Sequence, residues 1–134
     1  MDRQLISSES PWEGPVGFSR AVRVGNMVFV SGTVGTDAEG KPVDPESAYF
    51  QAIKAFQRIE AALNEAGAEL RHVVRTRMFV TDISQWEQVA KAHGEFFGAI
   101  RPATSMIEIS RLIGPDLLVE VEADAVVGGE RLED

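Results

Sequence analysis

A chain of 134 residues with 44% apolar and 25% charged residues has the size and make-up of one globular domain, read here as residues 1–134. Its net charge of −8, 21 acidic against 13 unclustered basic residues, repels phosphate backbones and argues against a nucleic-acid partner. Cysteine is absent and only two histidines occur, which leaves no disulfide, no thiolate nucleophile and no metal-ligand spacing, so neither metal nor cofactor is expected.

No apolar run approaches the roughly 20 residues that span a bilayer. The first residues lack the basic-then-apolar pattern of a signal peptide. No membrane partner and a cytoplasmic setting are therefore expected.

In chain order, residues 1–17 carry Pro11, Gly14 and Pro15 and read as a loose lead-in. Residues 18–24 and 27–31 are β-type runs joined by Gly25-Asn26, residues that accept hairpin-turn geometry. Residues 33–42 hold four turn-formers, Gly35, Asp37, Gly40 and Pro42, and read as a loop. A first helix follows, with Asp44 as its cap, Pro45 in its first turn and Gly67 at its end. Its apolar stripe is Tyr49, Ile53, Phe56, Ile59 and Leu63. Residues 73–81 form a strand. A second helix begins at Ser84, in capping-box form with Glu87, and runs to about Gly98. Trp86, Val89 or Ala90, His93, and Phe96 or Phe97 make up its stripe. Two strands close the chain, and the order is β-β-α-β-α-β-β.

Period-two alternation assigns the faces of those strands. In the last one Leu117, Val119, Val121, Ala123, Ala125 and Val127 should meet the helices, leaving Glu120, Glu122 and Asp124 on the other side. In the strand at 73–81, Val74, Thr76, Met78 and Val80 should face the helices, and Arg75, Arg77 and Phe79 away. Thr104 is expected on the same side as Glu120, away from the helices. That far side mixes charge with large apolar groups and fits subunit contact better than bare solvent, so a homo-oligomer is expected.

Five segments, in order and over nearly the whole chain, then point to a family. They are the Gly-Asn hairpin leading to Val28-Phe-Val-Ser-Gly32, the helix ending Glu65-Ala-Gly67, Val73-Val-Arg-Thr-Arg-Met-Phe-Val-Thr-Asp82, the turn Pro102-Ala-Thr-Ser105, and Val119-Glu-Val-Glu-Ala-Asp-Ala125. Together they resemble the Rid/YjgF family of reactive-intermediate deaminases. The resemblance implies an α+β fold like chorismate mutase, assembled as a homotrimer. In that assembly the sheets form an inner barrel, the helices lie outside, and ligand clefts sit between subunits.

It also implies a small-molecule metabolite as partner and hydrolysis of enamines and imines to ketoacids and ammonia. In such a cleft an Arg after the Pro-Ala pair holds the substrate carboxylate, a final-strand Glu positions water, and a Tyr and a Ser-Gly pair line the walls. The matching positions here are Thr104 for the Arg, Glu120 for the acid, Phe18 for the Tyr and Ser31-Gly32 for the pair. A further Asn on the second helix is Ala90. A Thr hydroxyl in place of a guanidinium fork takes about 2–4 kcal/mol of anchoring from a carboxylate. The expected activity is therefore hydrolysis of some other imine or enamine, not of 2-aminoacrylate. A non-catalytic small-molecule binder is the alternative, and ribonuclease activity is the least favoured.

Arg20 or Arg101 could replace the missing charge; the other reading of Arg20 is an ion pair. Glu120 reads either as the water-positioning acid or as an intersubunit partner of Arg75 or Arg77, and Glu122 and Asp124 read as structural charges. Ser31 has no base beside it in sequence and reads as a turn or ligand hydrogen bonder. His93 reads as a packed core histidine and His72 as a surface residue at a strand edge.

Overall fold

The computed structural model describes residues 1–129. Six strands form one mixed sheet in the order β1-β2-β3-β6-β4-β5. They are β1 (Arg3–Ile6), β2 (Ala21–Val24), β3 (Met27–Val34), β4 (Val73–Val80), β5 (Ala103–Glu108) and β6 (Val119–Val126). All neighbours are antiparallel except β4 and β5, which run parallel with α3 (Trp86–Phe97) as their crossover. Helix α2 (Ala48–Glu65) packs beside α3 on the same sheet face, and a single turn, α1 (Glu13–Val16), lies near the start. No helix among the described residues is long and apolar enough to cross a membrane.

The α+β class and the one-sided helical cover agree with the sequence reading. The lead-in does not, because residues 1–17 hold β1 and α1. With only Leu5 and Ile6 apolar, β1 carries too short a pattern to read; it forms because the edge of β2 offers unpaired backbone groups, with Ile6 opposite Ala21. The hairpin at Gly25-Asn26 is present, with Val24 paired to Met27 and Gly25 at a φ of +58°. β3 runs on to Val34, into the stretch read as loop.

Helix α2 is capped by Ser47, whose Oγ accepts from Phe50 N at 3.0 Å, and not by Asp44. Asp44 instead accepts from Glu46 N, closing the preceding turn. At the other end Gly67, at φ +80°, donates to Asn64 O while Ala68 donates to Leu63 O, a Schellman closure that only a residue free of a Cβ takes easily. The Ser84 capping box is also displaced. Asp82 caps a 3₁₀ turn, Ile83–Gln85, and α3 starts at Trp86 with no side-chain cap. Trp86, expected on the apolar stripe, is exposed; Val89, Ala92 and Phe97 supply the buried face.

The core lies between the two helices and the sheet, with Phe56, Ile59, Leu63, Val89 and Phe97 against Val28, Val80, Val119 and Val121. β6 alternates as read: Val119, Val121, Ala123 and Ala125 are buried and Glu120, Glu122 and Asp124 half-buried. β4 does not alternate throughout. Its pairing to β6 slips between Val73 and Arg75, so a β-bulge turns Val73 inward and leaves Val74 exposed. His72 is buried as well, its Nδ1 accepting from Glu69 N at 3.0 Å.

Candidate functional site

The polar groups singled out from the sequence fall into two clusters. The first surrounds the end of β3. Between Val30 and Thr33 the ladder to β6 shifts register, and Ser31 and Gly32 fill the irregularity. Opposite it sits the side chain of Glu120, so close that a Cβ on Gly32 would lie 2.8 Å from Oε2. The glycine is what lets the carboxylate rest there. Burial, then the neighbouring charge of Glu122, push the Glu120 carboxyl above its ordinary range, and Arg20 pulls the other way.

Arg20 braces the same irregularity from beneath. It is only 7% exposed, and its Nη1 donates to Gly32 O at 2.7 Å and to Thr33 Oγ1 at 2.9 Å. Its guanidinium stands 5.5 Å from the Phe18 ring centroid. Burial and the nearby charge of Arg58 lower its affinity for the proton; Glu13 and Glu120 oppose them. The Ser31 hydroxyl donates to Ser19 O at 2.7 Å, which ties its proton to the backbone. Phe18, Ser19 and Ser31 line an open surface cleft of ≈ 570 Å³ with Leu5, Val22 and Glu13.

On the open sheet face beyond, Arg77 Nη1 approaches Asp124 at 3.2 Å and Glu122 at 3.7 Å. Those charges pair within the chain. Leu5 (62% exposed), Phe29 (42%) and Ile107 (44%) interrupt them.

Thr104 belongs to the second cluster, and on this point the sequence reading is corrected. β5 runs parallel to β4 with Thr104 opposite Thr76, and the two hydroxyl oxygens are 2.6 Å apart. Thr76 is fully buried on the helix side and reaches His93 Nε2 of α3 at 2.8 Å. Thr104 therefore faces the helix side while Glu120 faces the open side. Alternation gives the two sides of a strand but not the register of a parallel pair, so the sequence could not say which side Thr104 takes. Phe79 is the partner of Glu120 on β4, three residues from the Thr76–Thr104 row. Three residues along and two strands across amount to about 14 Å in the sheet plane, with the sheet itself between. Within one chain, Glu120 and Thr104 are not one site.

Arg101, the other candidate charge, is exposed and holds a φ of +58° beyond α3, its N donating to Phe97 O at 2.8 Å. The relay from Thr104 to His93 was missed in the sequence. His93 was visible as a stripe residue, but its link to Thr76 depends on the packing of α3 over β4.

Comparison with known proteins agrees with this architecture. A family model described as Endoribonuclease L-PSP matches residues 12–127. A RutC family protein of Pyrococcus abyssi is 35% identical over 126 residues, covering 93% of this chain and 98% of its own. A crystal structure of a YjgF/YER057c/UK114 family member from Mycobacterium tuberculosis is 50% identical, with a TM-score of 0.86 over 94% of this chain and 100% of that one. The YjgF gene product of Escherichia coli is 28% identical, with a TM-score of 0.74 over 91% and 92%. The chain thus belongs to the YjgF/RutC (Rid) family, the one whose family model is described as Endoribonuclease L-PSP.

Proposed function

We propose that the protein hydrolyses an uncharged imine or enamine in a cleft completed between protomers of a homotrimer, with Glu120 as the group that handles water. The observation that carries this reading is the Glu120 carboxylate, held against Gly32 and raised toward a working pH by burial. Glu120 takes a proton from water as the water oxygen bonds to the imine carbon. The C=N electron pair moves to nitrogen, which takes the proton back from Glu120. Glu120 then carries the hydroxyl proton to nitrogen as the C–N bond breaks, leaving a carbonyl compound and ammonia. An enamine enters after protonation at carbon to the imine. Phe18, Ser31 and Gly32 form the wall beside it, and Thr104 of the neighbouring protomer meets the ligand from the other side. The assembly reading is supported by the two clusters lying on opposite faces and by the apolar side chains on the open face.

Thr104 directs the substrate class. It offers one neutral hydroxyl, which suits an uncharged ligand better than a carboxylate. Arg20 supports the same view, since its Nη1 is spent on Gly32 and Thr33. A non-catalytic binder remains the second reading, favoured by the Ser31 hydroxyl being tied to Ser19 O.

The test is ketoacid release from 2-aminoacrylate generated in place by a dehydratase, beside a panel of uncharged imines. No acceleration is expected on the acid. Turnover of at least one uncharged imine, lost in Glu120→Gln, is expected. Fast turnover of the acid overturns the substrate class, and turnover indifferent to Glu120→Gln overturns the mechanism.

A further inference from the structure

The chain of contacts from Thr104 inward has no part in the water step. Thr104 is exposed on the edge strand β5, Thr76 is fully buried on β4, and His93 is half-buried on α3. The spacings of 2.6 Å and 2.8 Å make one continuous run of hydrogen bonds. The imidazole is walled by rings, with Phe97 of its own helix at 4.7 Å and Phe56 of α2 at 5.7 Å, while β4 presents the neutral Thr76. Burial lowers its pKa, so the surroundings favour the neutral ring.

Each hydroxyl has one proton and two lone pairs, so a run in which Thr76 donates to one of its two neighbours has two polarities. If Nε2 carries a hydrogen, it donates to Thr76, Thr76 donates to Thr104, and Thr104 turns its own proton and one lone pair outward. If Nε2 is bare, Thr104 donates inward, Thr76 donates to Nε2, and Thr104 turns lone pairs to its ligand. An imidazolium allows the first polarity alone. A guanidinium at position 104 would only donate. The Thr104 relay adds the one thing an arginine lacks there, the capacity to accept.

We infer that His93 is a positioning residue that, through Thr76, holds Thr104 as a hydrogen-bond acceptor for an N–H group of an uncharged ligand such as an enamine or amide. This rests on the reading that Thr104 lines the cleft, and it adds the chemical class of the contact and the group that governs it. Protonating His93 reverses the polarity, so Thr104 presents a proton and one lone pair to the ligand where it had presented two lone pairs. Binding of an N–H ligand therefore weakens as the pH falls through the pKa of His93.

Two measurements on the full-length protein test this. The first is nitrogen NMR of the imidazole across pH. The expected result in the wild type is a neutral ring with Nε2 bare and Nδ1 protonated. Thr76→Val and the exposed Thr104→Val should each change the tautomer ratio and the titration midpoint. A ring whose Nε2 carries the hydrogen, or one that neither substitution affects, overturns the relay, whatever Glu120 does. The second is binding of 3-aminocrotonamide, an uncharged enamine, to Glu120→Gln protein, which by the proposed water step does not turn it over, against acetone, which is uncharged and has no N–H. Weakening of one matched hydrogen bond corresponds to up to about a tenfold fall in enamine affinity on acidification. That fall should be absent for acetone and when His93→Gln is added. A fall that persists unchanged in His93→Gln, or no enamine binding at any pH, overturns the assignment of Thr104 as an N–H acceptor. Failure of imine hydrolysis with the tautomer result intact would instead refute the hydrolase reading and leave the relay standing.

Discussion

Glu120 and Gly32 are the pair on which the residue-scale account turns. Burial and Glu122 raise the Glu120 carboxyl in the folded chain above its ordinary value of 4.5. The sign follows from linkage: the folded state disfavours the ionised form, so the penalty is complete above the folded pKa and absent below the unfolded one. Glu120→Gln is expected to raise the melting temperature by a few degrees at pH 7, and that gain should vanish by about pH 4 in thermal scans. Gly32→Ala separates stability from activity. Its Cβ would meet only the end of the Glu120 side chain, which can swing aside, so the stability loss should stay within about 1 kcal/mol. The displaced carboxylate should lower imine hydrolysis by roughly 100-fold. Denaturant melts and rate assays on the same preparation would check both halves.

Among the elements, α2 is fastened to the sheet by polar side chains, Arg58 to Val34 O of β3 at 2.8 Å and, more deeply buried, Gln51. Gln51 is fully buried, with Nε2 donating to Asp44 O at 2.8 Å and to Asp116 O at 2.9 Å. Its Oε1 accepts from Leu118 N at 2.8 Å, at the start of β6. That strand carries Glu120, so the clamp helps to set where the acid lies. Gln51→Leu keeps the volume but removes the side-chain partner of three part-buried backbone groups, at about 1 kcal/mol or more each. A loss of roughly 3 kcal/mol or more is expected from urea denaturation.

Legibility at this scale had a physical limit. The two faces of β6 could be read because its pattern has an unbroken period of two. β4 was misread at Val74, since a bulge adds one residue without any mark in the sequence. Asp44 and Ser47 are both good caps, and which one is used depends on where the turn before the helix closes. The residues of the Glu120 cluster were all nameable in advance. The side taken by Thr104 was not, because it depends on the pairing of β5 with β4.

For the whole molecule, a net charge of −8 and a sheet face carrying Phe29, Leu5 and Ile107 have to be reconciled. In the proposed trimer, association through that face would bury these apolar groups, while Glu122 and Asp124 on the same face are already paired with Arg77. It also explains why one chain carries its acid and its Thr104 relay on opposite sides of a sheet. In the proposed trimer each protomer would supply half of two different clefts.

The absence of cysteine makes this the most direct claim to test. Gly32→Cys with Thr104→Cys in one chain places two thiols about 14 Å or more apart on opposite sheet faces, beyond the reach of a short bis-maleimide within that chain. Treatment at low protein concentration, followed by denaturing electrophoresis, should give a covalent product of three times the 14.6 kDa chain mass, which neither single variant forms. A double variant that stays monomeric would contradict the account.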